Sequence, residues 1–321
     1  MNDIRASVII PTKNPGMIFQ DVLVAVTSQK TDWPFEIIVI DSGSKDGTIE
    51  FVKQFPQVSL IEISAIEFGH GRTRNLAISK SNGEFIAVIT HDAKPVDCHW
   101  LANLVSCAEH DERIAGVFGR HIAYPSASIY TKRELELHFE GFDAFPIVHL
   151  QDKSRYSNDV GYRQFLHFFS DNNALIRRSV WETIPYPDVD FAEDQAWAKL
   201  IIEAGYHKAY SKAGAVFHSH DYTLFERFQR SFDESYAFRR FFGYILCSDL
   251  RSGIRSVSAL SWRDINFAKK TGLLKGSPGV VLHAVIDNVM RVFGHYLGAK
   301  GDRLPAAIVK RISRDKKLFA Q

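Results

Sequence analysis

The sequence predicts an α/β protein: a mostly parallel sheet followed by a helical C-terminal region. Three observations carry the prediction. Over residues 1 to about 120, short apolar runs alternate with helical runs of about ten residues, the pattern of successive βαβ units. One run, residues 85–89, is apolar throughout and so marks a strand buried on both faces. From Leu224 onward, Phe225, Phe228, Phe232 and Tyr236 return at helical spacing, which starts a helical region near Tyr222. At 321 residues the chain can bury one large core and carry an appendage, giving domains over residues 1–221 and 222–321.

Taken in order, residues 7–10 form a β-rich run stopped by Pro11, and residues 17–27 place Ile18, Val22 and Val26 on one helical face. Residues 36–40 are the next strand, ending at Asp41. The segment DSGSKDGT, residues 41–48, follows as a turn in which Gly43 and Gly47 permit a tight bend and Asp46 caps the next helix. An amphipathic run (49–55), a strand (59–63), a turn punctuated by Gly69 and Gly71 and a helix from about Thr73 to Ser81 precede the apolar strand. That strand delivers Thr90, His91 and Asp92 into a turn closed by Pro95. Residues 121–165 lose the alternation and predict a long excursion over the sheet edge on the acceptor side. Periodicity returns over 165–185, FAEDQAW opens a helix running to Ala204, and AGAVFHSHD reads as a strand.

Composition narrows the partners. Cys98, Cys107 and Cys247 form no C-x-x-C pair and are odd in number, which argues against a disulfide framework or a zinc site. The N-terminus lacks the basic, apolar and small-residue succession of a secretion signal, so the protein is expected in the cytoplasm. Net charge is only +2, but residues 251–321 hold 14 Lys and Arg against 4 Asp, which leaves the preceding chain acidic and the tail in search of an anionic partner. No zinc finger, basic heptad region or aromatic RNA-binding signature is present, so a membrane surface is expected rather than nucleic acid. Residues 277–298 fail as a membrane span because His283, Asp287, Arg291 and His295 form a polar stripe opposite Val281, Val285 and Val289. A second amphipathic helix has Leu304, Ile308 and Ile312 on one face and Lys310, Arg311, Arg314 and Lys317 among its polar positions. An ordinary surface helix and an interfacial membrane helix fit it equally.

Several acids fall where ligands bind. Asp41 ends one strand and Asp92 follows another in a turn, both at the edge where open α/β sheets hold ligands. Asp41 can accept from the N–H of a pyrimidine base, and Asp92 can hold a hard divalent cation against a diphosphate. FGHGRTRN breaks the G-x-G-x-x-G spacing at Arg74, but Arg72 and Arg74 lie by a helix start, where a guanidinium pairs with phosphate. Glu193 and Asp194 open a helix, where its dipole favours carboxylates.

SVIIPTKN, DSGSKDGT, GHGRTRN, THDAKP, FAEDQAW and HSHD, in this order over about residues 5–225, resemble the family 2 glycosyltransferases of the GT-A fold, and most closely their rhamnosyltransferase branch. The resemblance implies a nucleotide-sugar donor, a divalent metal (Mn or Mg) and inversion at the anomeric carbon. Pro11, Thr12 and Asp41 would line base and ribose, with Ser42, Gly43, Arg74, Asn75 and His91 as further donor-binding candidates. Asp92 would match the metal-binding acid of the DXD motif, here reduced to His91-Asp92-Ala93; the branch usually shows a similar QDA. His218 and His220 are the candidates to complete the metal site, imidazole suiting Mn²⁺ better than Mg²⁺. The family's ED motif makes Asp194 the base for the acceptor hydroxyl, with Glu193 second. Asn172 and Asn173 are candidates for sugar hydroxyls, and Trp181 and Trp197 for core or acceptor cleft. The implied reaction transfers a sugar, rhamnose from a dTDP donor, to a saccharide or lipid-linked acceptor in bacterial surface-polysaccharide synthesis. A UDP-hexose or UDP-N-acetylhexosamine donor, or a non-catalytic assembly protein, is the alternative.

Overall fold

The apolar strand needs neighbours on both sides and cover on both faces, and the sheet supplies them. The computed structural model describes residues 4–189 and 191–315. It divides into two compact units, one up to Ser219 and one from His220. Among the described residues the first unit contains nine strands: β1 (Ala6–Thr12), β2 (Phe35–Asp41), β3 (Val58–Glu62), β4 (Phe85–Ile89), β5 (Lys94–Pro95), β6 (Ile114–Ile122), β7 (Ile147–Val148), β8 (Asn173–Arg177) and β9 (His207–Phe217). Their order is β3-β2-β1-β4-β8-β6-β9-β5, with β7 also on β9. β1 to β4 run together, β8 runs against its neighbours β4 and β6, and β9 follows β6.

Chain direction decides where a ligand can sit. The chain moves from β1 out to β2 and β3, then returns on the other side of β1 as β4, so the order reverses between β1 and β4. A crevice opens at such a reversal, outside the carboxyl ends of the strands. Because β8 is antiparallel, its first residue Asn173 lies opposite the last residue of β4, Ile89. Phe217, the last residue of β9, lies opposite Ile122 of β6 and Lys94 of β5. One sheet edge therefore gathers the ends of β1, β2, β4, β6 and β9 and the start of β8.

Alternation along the strands feeds two core layers. Val8, Ile10, Phe85, Ala87 and Ile89 pack with Phe19, Val22 and Val26, whereas Ile9, Ile86 and Val88 pack with Ile38, Ile40 and Ile78 on the other face. All of β4 is fully buried, as its uniform apolarity requires.

Four expectations are revised. β1 continues through Pro11, because β4 pairs with β1 only as far as Ile9 and the missing proline N–H costs no ladder bond on that side. Residues 121–165 are not a bare excursion: they hold helices Ile129–Asp143 and Lys153–Asn158, strand β7 and most of helix Val160–His167. Phe139 and Phe142 of the first helix are buried, the latter 4.9 Å from Phe118 between ring centroids. The glycine-punctuated turn is helical from His70 (helix His70–Ser79). A Cβ on Gly71 would lie 2.0 Å from the Pro187 carbonyl oxygen, so the glycine permits a close approach. Finally, β9 stops at Phe217, leaving His218 and His220 beyond the strand.

The second unit is helical: Leu224–Phe242, Leu250–Lys270, Leu273–Gly276, Pro278–Gly298 and Ala306–Ile312. Thr223 starts the first with a reciprocal capping box through Glu226. Helix Pro278–Gly298 is amphipathic as predicted, with Val281, Ala284, Asn288 and Val292 buried and part of the polar stripe drawn to partners. Asp287 meets Arg227 at 2.9 Å and His295 meets Glu234 at 3.4 Å, while Leu282, Ile286, Val289 and Phe293 are exposed. Gly294 and Gly298 allow close packing of this helix on the first, since a Cβ on either would fall 2.5 and 2.3 Å from the Phe228 and Phe232 carbonyl oxygens, respectively. No described helix is long and apolar enough to cross a membrane. The last helix is short, with Val309 buried and the following Arg314 and Asp315 N–H groups both donating to Asp233 at 2.9 Å. Lys317 lies outside the described residues.

Candidate active site

The ends of β1 and β2 are tied into one platform. Thr12 and Asp41 face each other in register, and the Thr12 hydroxyl donates to Asp41 at 3.0 Å. Asp41 also accepts from the Gly43 and Ser44 N–H groups at 2.9 and 2.8 Å and from the Ser44 hydroxyl at 2.5 Å. Ser42 donates twice to the Thr12 carbonyl, from N–H at 3.0 Å and from its hydroxyl at 3.1 Å. Asn14 and Asp46 complete the stitching: Asn14 accepts from Lys45 N–H at 2.8 Å, and Asp46 accepts from Gly16 N–H at 2.9 Å. Asp41 is fully buried, so its carboxylate shapes the loop that carries Ser42 and Gly43 instead of standing open to solvent.

The end of β4 meets the end of β9. The His218 Nε2 lies 3.7 Å from Asp92 Oδ1, and ligand atoms of Asp92, His218 and His220 all fall within 4.8 Å of one another. Backbone pairing of His218 N–H with the Ile122 carbonyl at 2.9 Å fixes this, as does Tyr124, whose hydroxyl donates to the Asp92 carbonyl at 3.0 Å and whose N–H donates to Ser219 at 3.0 Å. His121 backs the His218 ring at 5.2 Å between centroids. Its Nε2 is buried without a hydrogen-bond partner, and burial, then the neighbouring imidazoles, holds it well below the ordinary histidine range. One carboxylate and two imidazoles suit a borderline divalent cation such as Mn²⁺. His91 is half-buried in the same turn.

The start of β8 brings the acids together. Helix Glu193–Glu203 begins after Ala192, whose φ of 55° turns the chain sharply into it. Glu193 is buried and pairs with Arg74 Nη1 at 2.7 Å. Arg74 Nε lies 2.9 Å from Asp171 Oδ2, a charge contact too bent for a good hydrogen bond, and Tyr186 donates to Asp171 Oδ1 at 2.8 Å. Asp194 is only partly buried and is held by backbone alone, accepting from Gln195 N–H at 2.7 Å and Asp171 N–H at 3.2 Å. Burial, then the charge of Glu193, pushes Asp194 up to about 6. Burial raises Asp171 further, outweighing Arg74. Arg74 brings one positive charge against three clustered carboxylates, so the group as a whole favours retaining a proton.

Other candidates have structural partners. Asn75 donates to the Tyr186 carbonyl at 2.8 Å and accepts from Trp181 Nε1 at 2.8 Å, which anchors the helix rather than facing the crevice. Asn173 is fully buried between Trp100 Nε1 and the Gly214 carbonyl, each at 2.8 Å. Trp197 is fully buried in the core, and Asn172 is half-buried. Asp171 and Tyr186 escaped the sequence reading, since neither sits in a motif. Asp171 could have been noticed as an acid directly ahead of a strand.

A profile of Glycosyl transferase family 2 matches residues 7–184, which span the platform, the β4 turn and Asp171. The chain belongs to glycosyltransferase family 2. This glycosyltransferase is 33% identical over 317 residues to the O-antigen chain rhamnosyltransferase RfbN of Salmonella typhimurium, covering 97% of this chain and 95% of that protein. It is 30% identical over 315 residues to the O-antigen chain rhamnosyltransferase WbaN of Salmonella anatum, covering 97% and 94%. Among solved structures, a mannosyltransferase of Pyrobaculum calidifontis in complex with GDP-Man and Mn²⁺ superposes with a TM-score of 0.58 at 17% identity, over 90% of this chain and 87% of the other. Staphylococcus aureus TarS 1–349 in complex with UDP gives a TM-score of 0.51 at 15% identity, over 90% of each chain. These likenesses establish the GT-A fold of the glycosyltransferase.

Proposed function

We propose that this glycosyltransferase moves L-rhamnose from dTDP-rhamnose, with inversion at the anomeric carbon, onto a saccharide or lipid-linked saccharide during assembly of a bacterial surface polysaccharide. The near full-length likeness to two O-antigen rhamnosyltransferases supports the sugar and the setting. The observation that carries the chemistry is the single sheet edge that joins the Thr12–Asp41 platform, the Asp92–His218–His220 donors and Asp194. Pro11, Thr12, Ser42 and Gly43 receive the nucleoside, with Asp41 holding their loop in shape and His91 beside the phosphates.

Asp194 is the base. It takes the proton of the acceptor hydroxyl as the oxygen attacks the anomeric carbon and the bond to the diphosphate breaks on the opposite face. Glu193 cannot share that task while it neutralises Arg74. Arg74 thus acts on the nucleotide side indirectly, as the counter-charge that keeps Glu193 and Asp171 in place. Asp92, His218 and His220 would hold Mn²⁺ or Mg²⁺, which when bound neutralises charge on the departing diphosphate. The protein works in the cytoplasm, peripherally at the inner membrane face where a lipid-linked acceptor is reached.

Calorimetric titration of dTDP-rhamnose, UDP-glucose and UDP-N-acetylglucosamine, each with Mn²⁺ and with chelator, tests the reading. Metal-dependent binding of dTDP-rhamnose alone is expected. Preference for a UDP-sugar would replace the donor and keep the mechanism, and binding of none would favour a non-catalytic assembly protein.

A further inference from the structure

We infer that the second unit docks on an anionic lipid surface through the outer face of helix Leu250–Lys270 and the turn that follows it. Arg251, Arg255, Ser258, Trp262, Ile265 and Lys269 succeed one another at steps of four and three, so they share one helical face, and all six are exposed. The opposite face is the packed one: Gly253, Asp264 and Ala268 are buried, and Asp264 accepts from Asn288 at 2.8 Å. Trp262 is 71% exposed, Ile254 67% and, past the turn, Leu282 62%, values that no solvated charged face requires of large apolar side chains.

Charge chooses the occupant. Between Asp264 and Asp287 the sequence has no carboxylate, while Lys269, Lys270 and Lys275 flank exposed Leu274. The helix's own acid, Asp264, is buried and pairs with Arg263 at 2.9 Å. A two-fold contact with a second copy would set this cationic row against itself, which like-charge repulsion opposes. Tryptophan and lysine interleaved with aliphatic residues along a helix about 30 Å long fit a headgroup boundary, where rings and alkyl stems enter and ammonium groups stay at the phosphates. The short helix Ala306–Ile312, one candidate on sequence grounds, has its tail tied to Asp233 instead.

The inference deepens the proposed membrane partner. It is read without donor or acceptor, so its failure is distinguishable from failure of the transferase reading. Full-length protein is floated with vesicles of phosphatidylglycerol and phosphatidylethanolamine, or of phosphatidylcholine alone. Binding only to the anionic vesicles, weakened by salt, is expected. The triple variant Lys269→Gln, Lys270→Gln, Lys275→Gln should lose roughly a hundredfold in affinity, and Trp262→Ser should also bind less, both keeping wild-type donor binding and circular dichroism. Hydrogen exchange of the wild type on vesicles supplies a readout independent of any variant, with protection expected over residues 250–282. Partition equal to wild type in the triple variant, protection elsewhere, or a Trp262→Ser change in sedimentation coefficient without lipid would each overturn the assignment, the last in favour of a second copy.

Discussion

Glu193 and Asp194 are adjacent in sequence and differ in what surrounds them. Glu193 is buried against Arg74, whereas Asp194 keeps part of its surface open and is held by two backbone N–H groups. Replacing Asp194 with Asn should lower transfer by roughly 10²–10⁴-fold, the usual contribution of a positioned base, while calorimetry finds donor binding nearly unchanged. Asp194 is raised to about 6, and a base acts only when deprotonated, so kcat/KM should fall as pH drops below that value and level off above it. A flat pH profile between 5 and 7, as a rough window for this group, would remove Asp194 from the role. Gly71 is a residue of another kind, whose importance is steric. Gly71→Ala puts a methyl group 2.0 Å from the Pro187 carbonyl oxygen and should cost about 1–3 kcal/mol in a denaturant titration. The motif showed the glycine, but Pro187 is more than a hundred residues away and no local pattern announces it.

At the scale of elements, strands set the site and helices cover it. β4 was readable because a strand buried on both faces has no polar positions to disguise it. The helix Ile129–Asp143 was not read, because Leu135, Phe139 and Phe142 repeat at steps of four and three inside a charged and histidine-rich stretch. The Pro278–Gly298 helix is amphipathic as its pattern predicts, but the pattern did not show that Asp287 and His295 of the polar stripe find Arg227 and Glu234 as partners while Val281 and Val292 are buried. Where polar residues have charged partners, hydrophobic patterning alone does not fix the buried side. His218 shows how an element's end makes chemistry: β9 stops one residue earlier and carries it to Asp92. His218→Ala should weaken Mn²⁺ binding by more than about tenfold, since even loss of a ligand's supporting partner costs that much. Calorimetry with Mn²⁺ alone, without donor, checks it.

Across the whole molecule, metal binding and folding are coupled. A cation that binds only the folded chain stabilises it by RT ln(1 + [L]/Kd), about 2.7 kcal/mol at a hundredfold excess over Kd. Mn²⁺ should therefore raise Tm more in the wild type than in His218→Ala at the same concentration; equal shifts in both would place the cation elsewhere.

The sequence by itself determined the α/β class, the strands that lead to Asp41 and Asp92, and the family, because these depend on local periodicity and on motifs contained in single turns. Only the tertiary structure decided that Arg74 holds both Asp171 and Glu193 beside Asp194, that Asn75 and Asn173 are anchors, and which face of each C-terminal helix meets solvent. Those outcomes depend on which charges and backbone groups meet across long sequence separations, and burial makes each such meeting consequential in a way that no local pattern records.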